Sequence, residues 1–531
     1  MSITEGRKNI LAAFFCLVSL QVAIAADVPP PPSVLEHEYD AKQFKVAPST
    51  LPTQTLSIGE AIVLALRHNR TIKNAYLQRI SQKWSLYVAS DEFRPDLSIN
   101  VTTGYADDMD KSTDVRTRTH TFDFSPTASL KLRTGGTLSA AWNNSYSKSQ
   151  DTVGSGDIPS HTSGISLNFT QPLLKGSGQE VAQASQIIAE RAEQVNLLNL
   201  KSTLISTITS VIQSYREVIQ AKRAYEISKN SLKRSRKLLE VNTLLIESGR
   251  MAAVESIQAE ADLARGELDL RISENALDAA RLNLLRILDI DKHTKIDIIE
   301  ALEIEEVDLN FEKLKTVAFS ERVDYLQAKL GILDAKLNLV LAKNNKLWEL
   351  GLFATYDNSL TDRSSQTVSS NLGDISAGDY AVGLALKIPF GDHTPKQNIA
   401  NARVSLQTQQ TNLIELKDEI LIGLEDSIRD IKNKYEQVRL AKRSRELARK
   451  TLEIENEKLR AGRSSNFELV SFQNALVAAE NSEVNANIVY LNALSSLDQF
   501  LGTTLDTWGI AIQDVTRFTE INEISEIRTE P

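Results

Sequence analysis

Few residues in the chain have the types and spacing that catalysis or metal binding requires. The segment Gly176-Ser177-Gly178 lacks the Lys-Ser/Thr of a phosphate-binding loop, and no Ser/His/Asp arrangement can be assembled. No histidine lies four residues from another histidine or beside a cysteine, so the pattern does not predict a zinc site. We therefore predict a chain that is not an enzyme and has no cofactor. The six histidines are scattered: His37, His68, His120, His161, His293 and His393.

Two Gly-Arg pairs, each followed by a glutamate, have the most informative spacing. Gly249-Arg250 precedes Glu255 and Gly462-Arg463 precedes Glu468, and each glutamate follows its glycine by six residues. A glycine of this kind ordinarily ends a helix, and a glutamate on a long charged helix is ordinarily solvated. The duplication of the whole set distinguishes it from an isolated glutamate.

The two sets belong to an internal duplication of the chain. We interpret residues 56–300 as a first repeat and residues 310–505 as a second. Each has the order helix, strands, very long helix, Gly-Arg break and return helix, with helix–strand transitions at Pro95, Pro172 and Pro389. Corresponding residues are Asn69 and Arg322 at an offset of 253, Gln171 and Ile388 at 217, and Gly249 and Gly462 at 213.

The first residues of the chain predict export. Arg7 and Lys8 precede an apolar run, and Ala23-Ile24-Ala25 offers a cleavage site, which is typical of a signal peptide over residues 1–25. The only cysteine, Cys16, follows Phe15 inside that run, unlike a lipoprotein signal, so the mature chain is predicted to have no cysteine. Residues 26–55 form a proline-rich arm and 506–531 a tail. The net charge of −9 argues against nucleic-acid binding.

Between the helices, the hydrophobic period changes from about 3.6 to 2. The alternation predicts four strands in the first repeat, around 97–105, 121–133, 137–147 and 164–170, and two in the second, around 352–356 and 382–388. Strands with one apolar face and one small or polar face fit a sandwich in water or a barrel in lipid. The signal peptide and the long flanking helices favour the barrel.

The helices after the strands are exceptionally long. Residues 179–247 contain no proline or glycine, and residues 395–460 contain Pro395 at their start and the glycine Gly423. Each segment would extend on the order of 100 Å as a straight helix. We predict coiled-coil hairpins with return arms over residues 252–288 and 467–501.

In this order, the motifs resemble those of the TolC-like outer membrane efflux protein family. Its first-helix motif is similar to residues 65–75 and 318–328, and its strand-to-helix motif to residues 171–176. Arg70, Val323 and Trp348 replace prolines of the family pattern. The resemblance implies an α+β membrane protein. In this fold a homotrimer pools its strands into one transmembrane β-barrel in the outer membrane, and its helices form a periplasmic α-helical tunnel.

The resemblance also implies a function. The protein would be a passive exit duct that receives cargo from an inner-membrane pump through a periplasmic adaptor, in efflux or in type I secretion. The alternative is a structural periplasmic coiled-coil protein without a pore. The resemblance assigns Glu255 and Glu468 to a gate or constriction of the channel. It assigns Gly249, Arg250, Gly462 and Arg463 to helical tips that contact the adaptor.

The offset predicts extra strands in the first repeat. It falls from 253 before the strands to 217 after them, a difference of 36 residues. This surplus fits one hairpin over 121–147, turning at Gly135-Gly136. Six strands per protomer would give eighteen in a trimer, where the resemblance implies twelve. In the wider barrel Gly135-Gly136 would lie on the periplasmic side, and Lys131 and Arg133 would face the lumen. The alternative is that residues 119–148 form a hairpin that projects beyond a twelve-stranded barrel.

Overall fold

The computed structural model describes residues 54–151, 158–249, 252, 254–294, 296–299, 304–365, 378–461 and 463–510, without the side chains of residues 158 and 255. The predicted signal peptide, the proline-rich arm up to residue 53 and the tail from residue 511 lie outside this range. So do Arg250, Gly462 and the side chain of Glu255.

The order of elements repeats along the chain, as the sequence predicts. The first repeat contains β1 (Gln54–Leu56), α1 (Ile58–His68), α2 (Arg70–Asp91), β2 (Asp96–Asp110), β3 (Val115–Lys131), β4 (Thr137–Asp151), β5 (Ile158–Pro172), α3 (Gln179–Ala182), α4 (Ala184–Glu247), α5 (Val254–Leu288) and β6 (Ile296–Ile298). The second contains α6 (Phe311–Glu321), α7 (Val323–Asn344), β7 (Glu349–Asp362), β8 (Asp379–Lys387), α8 (Thr394–Arg460), α9 (Asn466–Leu501) and α10 (Thr504–Thr507).

The first helix of each repeat is broken in two, where the sequence predicted one continuous helix. Ser57 caps the start of α1 and forms a capping box with Glu60. Asn69 then leaves the helical conformation (φ −59°, ψ 126°), and its side chain accepts hydrogen bonds from the N–H groups of Thr71 and Ile72. Arg322 has nearly the same backbone conformation (φ −65°, ψ 124°) between α6 and α7. The duplication therefore extends to the backbone break itself.

Six strands form one antiparallel sheet in the order β2-β3-β4-β5-β7-β8. All six predicted strands are present. The pairing of β2 with β3 runs without interruption from Asp96–Ser129 to Asp110–Val115, and that of β4 with β5 from Thr137–Thr170 to Ser149–Ile158. The four strands of the first repeat join the two of the second through β5 and β7.

The long helices pack as two hairpins, α4 against α5 and α8 against α9, and α4 also packs along α9. One 18-residue stretch of α4 is apolar enough for a membrane span by composition, but 56% of it is buried within the chain. Ile208 and Val211 of α4 and Ile420 and Leu424 of α8 are completely or almost completely buried in the two main core clusters. The apolar stripes of α4 and α8 are therefore buried in two separate core clusters of the chain.

A small parallel pair, β1 with β6, closes the first repeat and was not predicted from the sequence. The hydroxyl of Tyr215 in α4 lies within hydrogen-bonding distance of the carbonyl oxygens of Leu56 (2.8 Å) and Ile299 (2.9 Å). Two three-residue strands carry no readable period, so only the tertiary structure shows how the ends of this repeat are held together.

Candidate conduit and helical tips

The sheet has two chemically distinct faces. In an antiparallel pair, directly opposite residues lie on the same face, so the register assigns each side chain to a face. One face is predominantly apolar and the other consists mostly of serine, threonine, asparagine, glycine and alanine. The apolar face includes Leu97, Ile99, Val101, Phe122, Phe124, Leu130, Leu138, Ala140, Trp142, Ile165, Leu167, Phe169, Leu352, Ala354, Val382 and Leu384.

Polar side chains on the apolar face bond among themselves. The hydroxyl of Ser163 donates to Asn144 Oδ1 (2.5 Å) and accepts from Trp142 Nε1 (3.0 Å). Such pairing removes much of the free-energy penalty of placing them in an apolar environment.

Aromatic pairs lie towards the ends of the strands that are remote from the helices. The rings of Tyr105 and His120 are 4.8 Å apart, as are those of Tyr146 and His161. An apolar band bordered by aromatic residues is the pattern of strands in an outer-membrane barrel. His120 and His161 therefore belong to the aromatic residues that border the apolar band.

The opposite ends of the strands meet the helices at the predicted prolines. Pro95 lies between α2 and β2, Pro172 is the last residue of β5, and Pro389 follows β8. Glu349, the first residue of β7, pairs with Lys175 (2.8 Å) and Lys387 (3.1 Å), which joins the ends of β7 and β8 to the segment that follows β5. The strand region and the helices are thus joined by a polar junction.

Both the sheet and the helices expose surfaces of the kind that contacts with other chains cover. Within the described residues, β2 and β8 are the two edges of the sheet. On α8, Leu440, Leu447 and Ile454 are spaced by seven residues and are 54–59% exposed, and on α5, Val254 and Ile257 are more than 60% exposed. Long strand edges and heptad-spaced apolar residues are surfaces that other chains cover.

The tip of the second repeat is built around a capping box. The N–H of Arg463 donates to the carbonyl of Lys458 (2.8 Å), so the chain turns directly after α8. Ser465 Oγ accepts from the N–H of Glu468 (3.2 Å), and the Glu468 carboxylate accepts from the N–H of Ser465 (3.2 Å). Arg463 and Glu468 are exposed. Glu468 therefore has a local structural role at the start of α9.

A buried carboxylate lies beside this tip and was missed in the sequence. Glu455 is 4% exposed, and its carboxylate accepts hydrogen bonds from Lys458 Nζ (3.0 Å) and from the Ser464 hydroxyl. The bonds from Ser464 and Lys458 hold the pKa of Glu455 below its usual range. The Ser-x-x-Glu spacing of residues 465–468 is a readable capping signal, whereas burial of Glu455 depends on tertiary packing.

The tip of the first repeat is described up to Gly249. This glycine has a left-handed conformation (φ 69°), which side chains rarely adopt, and its N–H donates to the carbonyl of Ile246 (2.9 Å) after α4 ends. The helix α5 then begins at Val254. Gly249, Arg463 and Glu468 therefore lie at helix ends, and their predicted roles in gating and docking stay predictions.

Comparison with known proteins supports the fold inferred from these features. Residues 357–503 match the outer membrane efflux protein family, and no curated protein matches the chain in sequence. The solved structure of CusC has a TM-score of 0.62 and 14% identity, over 86% of this chain and 95% of that one. VceC of Vibrio cholerae gives 0.61 and 14%, over 84% and 96%. The CmeC outer membrane channel of Campylobacter jejuni gives 0.61 and 14%, over 88% and 89%.

The chain therefore has the fold of outer membrane channels, and both the predicted fold class and the predicted resemblance are confirmed. The outer-membrane location predicted from the sequence agrees with these matches.

Proposed function

We propose that the chain is the outer-membrane exit duct of a three-part export system. A homotrimer places its strands in outer-membrane lipid and its helices in the periplasm, where they receive cargo from an adaptor and an inner-membrane pump. Transport through the duct is passive. The observation that supports this most directly is one continuous sheet, apolar on one face and polar on the other, joined to two very long helical hairpins.

The sheet requires further copies of the chain if it lies in lipid. Open strand edges are not tolerated in the hydrocarbon region because their N–H and C=O groups have no partners there. The edges β2 and β8 end the sheet of one chain, so β8 of one copy would pair with β2 of the next. The exposed apolar residues of α5 and α8 would be covered in the same assembly.

The helical tips are the part of the duct that meets other proteins. In this proposal Gly249, Arg250, Gly462 and Arg463 contact the adaptor. Glu255 and Glu468 from three copies surround the entrance, where crowded carboxylates favour cations. The capping box of Glu468 is compatible with this role because its side chain remains exposed.

Membrane fractionation and disulfide cross-linking test the proposal. Cysteine pairs introduced at Ser98 or Asn100 of β2 and at Ala381 or Ala385 of β8 should yield disulfide-linked trimers from the outer-membrane fraction. A control pair on neighbouring interior strands, Thr127→Cys with Ala141→Cys, should link only within one chain. A protein extracted by salt that forms no links between chains would support the alternative, a periplasmic coiled-coil protein without a pore.

A further inference from the structure

We propose that the hairpin β3–β4 is an integral part of the barrel wall and sets the width of its outlet, so that the trimer has eighteen strands and admits bulky hydrated cargo. This inference rests on the trimeric duct proposed above. It assigns a specificity-determining role to residues 115–151, which have no counterpart among the described residues of the second repeat.

Both edges of the hairpin are paired along their lengths. β3 pairs with β2 as far as Asp110–Val115, and β4 pairs with β5 as far as Ser149–Ile158. The two strands have 17 and 15 residues, more than the roughly 9–11 that cross a bilayer. A hairpin projecting beyond a narrower barrel would leave β2 and β5 to pair with each other. In this sheet β3 and β4 separate them.

The two faces of the hairpin continue those of its neighbours. Phe122, Phe124 and Trp142 lie on the apolar face, in register with Thr103, Val101 and Ile165 respectively. The other face carries mainly hydroxyl and amide side chains, with Asp123, and continues into β2 and β5. Lys131 lies opposite Thr137 on this polar face. The wider barrel requires Lys131 to face the lumen, and its position on the polar face meets this requirement. The hydroxyl, amide and carboxylate side chains on this face include Thr119, Thr121, Asp123, Ser125, Thr127, Ser129, Ser139, Asn143, Ser145 and Ser147.

The turn of the hairpin is anchored at the junction with the helices. A Cβ on Gly135 would lie 2.2 Å from the carbonyl oxygen of Gly176, so the two backbones are in close contact. Thr134 Oγ1 donates to Gln171 Oε1 (2.8 Å), and Lys131 pairs with Glu92 at the end of α2. The turn therefore lies at the end of the sheet next to the helices, and the strands extend from there over the full height of the sheet.

The added strands change the size of the outlet greatly. With strands about 4.7 Å apart and tilted by about 45°, an eighteen-stranded barrel has a backbone diameter of about 38 Å, compared with about 26 Å for twelve strands. The cross-sectional area is then about twice as large. Small hydroxyl side chains leave this lumen open, so the strand region would not limit the passage of bulky hydrated cargo.

Two adjacent alanines of β4 provide a matched test. Ala140 lies on the apolar face, opposite Leu167, and Ala141 lies on the polar face, opposite Ser166. In whole cells, a membrane-impermeant maleimide should label Ala141→Cys at least about tenfold faster than Ala140→Cys, because only the lumen face of a barrel strand meets water. Ser166→Cys and Leu167→Cys on β5 calibrate the reagent, since that strand lies in the barrel in either arrangement.

The outcomes separate this inference from the proposed function. Equal labelling of both alanines in an intact trimer would place the hairpin outside the lipid and overturn the inference while leaving the duct in place. If the maleimide labels neither cysteine, the claim that the lumen is open at this height of the barrel would be overturned. The absence of a trimer would overturn the inference together with the proposed function.

A deletion tests the width itself. Removal of residues 115–151 should lower the largest maleimide-polyethylene glycol that reaches Ser166→Cys from outside the cell. An unchanged size limit in a folded, trimeric deletion variant would overturn the size-determining role. If the deletion variant does not assemble, the alanine pair still decides whether the hairpin is part of the wall.

Discussion

The two repeats share a helical frame but differ in their strands. α2 and α7 both have 22 residues, and both begin at a backbone break with nearly equal dihedral angles. Between the first helices and the long helices, however, the described residues form four strands in the first repeat and two in the second. In the proposed duct the helices must match because they form one tunnel wall. The strands can differ as long as the sheet gains them in antiparallel pairs, which preserve the direction of the chain.

Equivalent positions in the shared frame can also use different chemistry. Arg79 of α2 is buried and forms two hydrogen bonds with Glu193 (2.7 and 2.5 Å). The offset of 253 places Ile332 of α7 at the same position, and Ile332 is also buried. At this position the first repeat therefore has an ion pair, and the second repeat has an apolar side chain.

The largest expected effect concerns the turn between β3 and β4 in the first repeat. In Gly135→Ala the new Cβ would collide with the Gly176 carbonyl. In Gly391→Ala, at a similar positive φ, no atom of the described residues lies within 4 Å of the new Cβ. Both variants incur about 1–2 kcal/mol of backbone strain. We expect Gly135→Ala alone to abolish most of the heat-modifiable trimer in outer membranes. Equal trimer yields for the two variants would contradict the anchoring of the turn.

The buried ion pair should give the next largest effect. Arg79→Met leaves Glu193 without its buried partner, and breaking such a pair costs about 3–5 kcal/mol. In Arg79→Met/Glu193→Leu, which imitates the apolar second repeat, most of this loss should be recovered. The midpoint temperature of trimer dissociation measures both. Equal midpoints for the single and double variants would show that the Glu193 carboxylate is tolerated without its partner.

Substitution of both tip glycines should separate docking from insertion. Gly249→Val/Gly462→Val should impair capture of the adaptor and pump more than barrel insertion, because the tips lie far along the helices from the strands. Gly509→Val is a matched control, since Gly509 has a positive φ, open surroundings and a position away from the tips. Pull-down and heat modifiability are measured side by side. A parallel loss in both assays would argue against a docking role.

The smallest expected effect is on ion preference. Glu255→Gln/Glu468→Gln removes two charges per chain, but the glutamine side-chain oxygen can still accept the N–H of the capping box. Cation preference should therefore fall and leak should rise at unchanged stability. Glu255→Ala/Glu468→Ala should show the same change in selectivity, with an added loss of about 1 kcal/mol from the cap. If bilayer reversal potentials do not move in either variant, both glutamates are solvated structural residues.

The sequence predicts periodic features well and tertiary ones poorly. Alternation located all six strands, and the scarcity of proline and glycine located the long helices. The break at Asn69 was missed because its capping role depends on a backbone conformation that a continuous helical period conceals. The β1–β6 pair and the buried Glu455 were missed because contacts between distant segments determine both. The tip residues were recognised through duplication, but the sequence does not specify what they contact.

Planar-bilayer recording of the purified oligomer, with its mass measured in mild detergent, tests the central claim most directly. The proposed duct predicts a homotrimer that inserts and gives discrete conductance steps. A monomer, or a salt-extractable protein that gives no conductance, would contradict it.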